Sequence, residues 1–143
     1  MHVSDLLAGK GATVATVTSH TLVGDVVAEL ARHRVGALVV SPDGRHIEGI
    51  VSERDIVRHL SEVRSDLLDD PVSTIMSTEV STCRPDDDVE SIMQLMTEKR
   101  IRHVPVVTDG ELVGIVSIGD VVKSRIGELE KDRNELLEYI SAR

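Results

Sequence analysis

"GIVSERDIV" at 49–57 and "GIVSIGDVV" at 114–122 spell one phrase twice: Gly, two β-branched residues, Ser, two variable residues, Asp, then apolar. Reading outward widens the match. "TVTSHTLVGDVVAELARHRVGALVV" at 16–40 aligns without a gap on "TCRPDDDVESIMQLMTEKRIRHVPV" at 82–106, so that Thr16 falls on Thr82, Leu30 on Met96, Arg34 on Arg100 and Val40 on Val106. One residue drops out in the next turn, where "SPDGRHIE" answers to "VTDGELV". Upstream, "VSDLL" at 3–7 matches "VSTIM" at 72–76. The chain is an internal repeat of one supersecondary unit.

Each copy carries the same elements. Short strands are expected near 14–17 and 80–83, and helices at 21–34 and 87–100. In the second copy Val89, Ile92, Met93 and Met96 fall on one helical face, and "DDVE" from Asp87 to Glu90 has capping-box spacing. Two β-branched runs then flank Asp43-Gly44 and Asp109-Gly110, a hairpin signal, and a further helix opens after Ser52 and after Ser117. The unit is β-α-β-β-α, twice, an α+β fold with a first repeat at 1–65, a second at 66–126 and a helical extension at 127–143. The polar stretch "SEVRSDLLDDP" at 61–71 leads from one repeat to the next. So small a unit buries too little surface alone, which predicts two copies packed about a pseudo-twofold axis.

Composition narrows the function. The 143 residues contain no Phe or Trp and one Tyr, so the core must be aliphatic, and the lack of aromatic rings to stack bases weakens a single-stranded nucleic-acid reading. A net charge of −9 is the wrong sign for a duplex footprint. No apolar run approaches the roughly 18 residues of a membrane span. The opening "MHVSDLLAGKG" lacks the pattern of a signal peptide, and the single cysteine, Cys83, fits a reducing compartment. A cytoplasmic protein with no nucleic-acid or membrane partner is expected.

Ser52-x-x-Asp55 and Ser117-x-x-Asp120 sit where a strand gives way to a helix. One reading is structural: Ser as N-cap and Asp at N3 form a capping box. The other is chemical. Free N–H groups at a helix start, with a hydroxyl beside them, make an anion site, and an Asp one turn in can accept both hydroxyls of a ribose. Gly49 and Gly114 leave room for close backbone approach. The two readings are compatible.

With matched hairpins and helices before it, the repeated phrase resembles the CBS domain, named for cystathionine β-synthase, whose signature is Gly-hydrophobic-x-Thr/Ser-x-x-Asp/Asn. Both copies here have Ser at the hydroxyl position. The resemblance spans residues 1–126 and "MQLMTEKRIRHVPVV" is typical of a second repeat. It implies a stand-alone regulatory pair that binds adenosine-containing ligands (AMP, ADP, ATP, NAD(H) or S-adenosylmethionine) in clefts between the repeats and signals energy or redox state to a partner protein. On the same resemblance Asp55 and Asp120 hold ribose hydroxyls, Ser52 and Ser117 lie at the ribose–phosphate junction, backbone near Thr16, Thr82, Leu38 and Val104 contacts adenine, and Arg102 and His103 reach phosphate. AMP is the expected ligand, with NAD(H) or ATP as alternatives.

The copies differ at one telling place. Arg102 and His103 stand where the first copy has Gly36 and Ala37, so the second hairpin supplies cations and the first supplies space. "EKRIRH" is the densest positive cluster of the chain; it suits an anionic ligand or simply a solvated helix end. Arg54 adds either a phosphate contact or an exposed side chain. The six histidines show no metal-ligand spacing, and Cys83 reads as a buried thiol. Val122, Ile126, Leu129, Leu136 and Ile140 make a heptad-like stripe in the tail, either folded back or forming a homodimer contact. Two rival functions remain: a ligand-free dimerisation adaptor, and an enzyme that processes the nucleotide, for which no nucleophile–base pair is evident.

Overall fold

In the computed structural model, which describes residues 1–62 and 66–142, the two repeats form an α+β tandem pair. A leading helix α1 (Val3–Lys10) precedes strand β1 (Thr16–Val17), helix α2 (Val23–His33), strands β2 (Ala37–Val40) and β3 (Gly49–Ser52), and helix α3 (Glu53–Glu62). Two short 3-10 turns, Leu67–Asp69 and Val72–Thr74, connect to helix α4 (Val89–Lys99), strands β4 (His103–Thr108) and β5 (Glu111–Ser117), and helix α5 (Ile118–Ser141). Of the expected connecting stretch at 61–71, residues 63–65 lie outside the described residues, as does Arg143 of the tail.

The strands follow the aliphatic runs. β1 pairs parallel with β2, Thr16 opposite Val39, and β2 antiparallel with β3, Leu38 opposite Val51. β4 and β5 pair antiparallel, Val104 opposite Val116, with a bulge between Val106 and Val107. Asp109 and Gly110 turn this second hairpin with φ of 52° and 77°, the left-handed pair that a two-residue turn needs. The first hairpin is looser. Its strands stop at Val40 and resume at Gly49, and Asp43 organises the loop by accepting from the amides of Arg45 and His46 at 2.8 and 2.9 Å.

Two expectations are corrected. The strand foreseen at 80–83 reduces to a single bridge, in which the Cys83 amide donates to Pro105 O and its carbonyl accepts from Val107 N. The "DDVE" capping box does not form. Helix α4 starts one residue later, with Asp88 as N-cap and no side-chain cap bond, while the Asp87 carboxylate accepts from the Arg84 amide. Helices α2 and α4 both end in left-handed residues, Arg34 and Arg100, each at φ 55°.

Packing reveals an exchange. One core joins Val23, Val26, Leu38, Val40 and Val51 of the first repeat to Val72 and Ile75. The other joins Ile92, Met96, Val104, Val106 and Val116 of the second repeat to Val3 and Leu6 of α1. Each leading segment therefore closes the core of the copy that precedes or follows it. The hydrogen bonds are reciprocal: Val72 N donates to Thr21 O and Val23 N to Asp70 O, while Val3 N donates to Asp87 O and Val89 N to Met1 O. These are the same two bonds written in the two halves, and they display the pseudo-twofold relation directly.

Candidate functional site

Strand β3 delivers Ser52 to the start of α3, and strand β5 delivers Ser117 to the start of α5. Both capping boxes are made. The Asp55 amide donates to Ser52 Oγ at 3.2 Å and Asp55 Oδ2 accepts from the Ser52 amide at 2.9 Å; the Asp120 pair repeats this at 3.2 and 2.8 Å. The structural reading of the phrase thus holds in both copies, and in each it leaves one carboxylate oxygen, Oδ1, outside the box.

The glycines of the phrase serve the fold. A Cβ on Gly114 would stand 2.7 Å from Leu7 Cδ2, and one on Gly49 would stand 2.8 Å from Met76 Sδ and 2.9 Å from Ser77 O. The close approach expected at these positions is made by the leading segments themselves.

A cleft of about 540 Å³ opens between the repeats beside Ser52. It brings together Ser52, Arg54, Asp55, Arg102 and His103, five of the residues singled out from the sequence, on one surface. Lys99 and Arg100 from the end of α4, Arg58 from α3, and Ser77, Glu79, Val80 and Ser81 from the second leading segment complete much of the wall. Five basic side chains face three carboxylates, Glu53, Asp55 and Glu79, so this surface reverses the sign of the chain as a whole. Arg58, Ser77, Glu79 and Val80 were not foreseen. Arg58 had a signal, since it lies three residues after Asp55 on α3, and its guanidinium reaches Asp55 Oδ1 at 3.0 Å.

Thr16, Thr82, Leu38 and Val104 are not among the residues lining this cleft. Leu38 and Val104 are core residues, 1% and 0% exposed; Ala37, next to Leu38, and Ser81, next to Thr82, are on the wall.

Ser117 and Asp120 are also absent from the wall of this cleft, and the surroundings of Asp120 differ from those of Asp55. The Lys10 ammonium of α1 lies 2.6 Å from Asp120 Oδ2 and donates to Ile115 O at 2.9 Å. Burial pushes the Asp120 carboxyl up, but Lys10 and the hydrogen bonds from Ser117 outweigh it and hold the group below the ordinary carboxylate value. Among the described residues no such lysine meets Asp55, which binds the Ser52 hydroxyl at 3.0 Å and Arg58.

His103 fills the space that Gly36 leaves. Its Cε1 and Nε2 lie 3.1 and 3.3 Å from where a Cβ on Gly36 would stand. Cys83 is buried in the second core, and burial, helped by Asp87, pushes its thiol up to about 12, so it is chemically quiet. Among the described residues no cluster of His, Cys, Asp and Glu could hold a metal, and no helix is long and apolar enough to cross a membrane.

Comparison with known proteins converges on one family. Residues 10–62 and 72–127 match the CBS domain. The CBS-domain containing protein ATU1752 from Agrobacterium tumefaciens superposes with a TM-score of 0.85 at 39% identity, over 87% of this chain and 99% of that one. The CBS domain protein PAE2072 from Pyrobaculum aerophilum, solved in complex with AMP, gives 0.75 at 32% identity, over 84% and 89%. The CBS domain pair of protein MJ0100, solved with 5-methylthioadenosine and S-adenosyl-L-methionine, gives 0.79 at 25% identity, over 90% and 98%.

Proposed function

The chain belongs to the CBS-domain family, and from that premise we propose that it is a regulatory module that binds an adenine nucleotide, AMP foremost, between its repeats and passes the bound state to a partner protein. The observation that carries this is the first cleft, where the Ser52–Asp55 phrase meets Arg54, Arg100 and Arg102 in a chain of net charge −9. Asp55 is the ribose acceptor, Ser52 lies beside the ribose–phosphate junction, and Arg54, Arg102 and His103 receive the phosphate. A cleft of about 540 Å³ is of a size to hold one small ligand. Its excess of basic groups favours a phosphorylated ligand over the sulfonium cation S-adenosylmethionine. A second ligand at Ser117 and Asp120 would be the weaker bound, because Lys10 already engages the Asp120 carboxylate.

Binding without turnover is the expected behaviour, in keeping with the regulatory role of CBS pairs. A lone buried thiol is compatible with the cytoplasm. The assembly is a homodimer in this reading. Val57 on α3 and Val122 on α5 hold corresponding places in the two repeats, and both are exposed, 65% and 47%. Leu60 on α3 and Ile126 on α5 are exposed as well, 45% and 51%, and these apolar side chains suit contact with a second copy.

Calorimetric titration of AMP, ATP, NADH, S-adenosylmethionine and adenosine tests the ligand. Each hydrogen bond to a charged group contributes roughly 1.5–3 kcal/mol, so Asp55→Asn weakens AMP by about tenfold or more. Arg102→Ala weakens AMP far more than adenosine. Chromatography of the nucleotide after incubation returns it unchanged. An Asp55→Asn protein that binds AMP as the parent does removes the ribose assignment, and a parent that binds no adenosine ligand leaves the dimerisation adaptor as the answer.

A further inference from the structure

His103 opens strand β4 and turns its ring inward across Gly36. Glu53 Oε1 lies 3.4 Å from the point where a Gly36 Cβ would stand, and the His103 ring atoms lie 3.1 and 3.3 Å from that point, so imidazole and carboxylate converge on one small volume. Four charged groups act on the ring, one from each surrounding element: Glu53 of α3, Lys10 of α1, Asp120 of α5, and Arg102 just before β4. Two are negative and two positive. Their effects oppose one another, and burial, the largest influence, decides the outcome: the ring is held below the ordinary histidine value and is neutral near pH 7 in the unliganded protein.

Such a balance is sensitive to any added charge. His103 also lines the first cleft, alongside Arg102 and Ser52. A phosphate group placed there brings nearly two negative charges and shields the ring further from water. Added burial and the Arg54, Arg58, Lys99 and Arg100 side chains on the same wall oppose that effect; the phosphate's charge must outweigh them for the ring to gain a proton.

We propose that His103 takes up a proton when a phosphorylated nucleotide enters the first cleft, so that this chain binds such a ligand more tightly as the pH falls. The proposal rests on the nucleotide reading given above. The proton comes from solvent, goes to the imidazole nitrogen left unprotonated in the neutral ring, and leaves again with the nucleotide. No bond of the ligand is broken. By linkage, each unit by which the phosphate raises the His103 pKa tightens binding about tenfold between the alkaline and acid limits. Adenosine, lacking the phosphate, takes up no proton.

The test is an NMR titration of the His103 ring in the full chain, free and saturated with AMP or with adenosine, the resonance being identified by its loss in His103→Gln. Calorimetry of AMP binding between about pH 7.5 and 6.0 accompanies it, in the parent and in His103→Gln, so that titration of the AMP phosphate itself cancels in the comparison. Expected are a His103 pKa raised by AMP and not by adenosine, and AMP affinity that rises at least about threefold more in the parent than in His103→Gln over that range. A His103 pKa unmoved by saturating AMP overturns the proposal while leaving nucleotide binding intact. A parent that binds no nucleotide overturns both, and the absence of any binding heat distinguishes that case.

Discussion

Lys10 and Asp120 meet across 110 residues of sequence, ammonium to carboxylate at 2.6 Å. The pair ties the leading helix to the second copy of the repeated phrase. Its partners are 33% and 23% exposed, so solvent screens it, and it contributes no more than about 1 kcal/mol.

Lys10→Met should therefore lower stability by up to about 1 kcal/mol at neutral pH. The pH dependence has a definite sign. Asp120 titrates below its ordinary 3.8 in the folded chain, so its contribution is complete above that value and disappears as the pH falls through the lower folded value. Urea denaturation of parent and variant should differ at pH 7 and converge as the pH falls through the folded Asp120 value. A gap that persists in acid would mean that Lys10 acts through its packing instead.

Gly49→Ala and Gly114→Ala separate two kinds of crowding. The new methyl at 114 meets the end of the Leu7 side chain, which can turn aside; at 49 it meets backbone, Ser77 O, at 2.9 Å, as well as Met76. Overpacking costs about 1–3 kcal/mol, and Gly49→Ala should lie at the upper end with Gly114→Ala at the lower. Adding Leu7→Ala should relieve the clash at 114, so that the double variant loses less than the two single losses together. Thermal melts of the parent and the four variants check the order; equal losses at both glycines would contradict it.

Removal of the tail after Ile126 tests its share in the proposed homodimer. Leu129, Leu136, Leu137 and Ile140 are all more than half exposed on the last turns of α5, without contacts that would bury them within the chain. Sedimentation should show the truncated chain dissociating at lower dilution than the full one. Equal dimer affinities would confine the contact to Val57, Leu60, Val122 and their neighbours.

Much of this architecture was legible because a repeat reports on itself. The alignment of 16–40 with 82–106 located α2 and α4 and the strand after each, and the Ser-x-x-Asp phrase marked the junctions where β3 passes into α3 and β5 into α5. Residue types also identified Arg54, Arg102 and His103, which the first cleft does gather. What an alignment cannot carry is which copy each similar segment packs upon. Val3 and Val72 align, yet each closes the other copy's core. From that exchange come the Lys10–Asp120 pair and the wall of Ser77, Glu79 and Val80, none of which periodicity could disclose. The "DDVE" box failed for a local reason: Asp87 spends its carboxylate on the Arg84 amide before the helix begins. The strand at 80–83 failed because one pair of hydrogen bonds at Cys83 satisfied the edge of β4 there.

The crossed leading segments also order events during synthesis. Helix α1 leaves the ribosome long before Pro85, Asp87 and Val89, the residues whose backbone it bonds. Until those emerge, Val3 and Leu6 have no core to enter, and an eight-residue helix alone is too short to persist in water. The first repeat, by contrast, can close once Asp70 to Ile75 are free of the tunnel. Helix α1 is thus translated before the first repeat and placed after it, and the long loop it closes makes its docking the slow, high-contact-order step of folding.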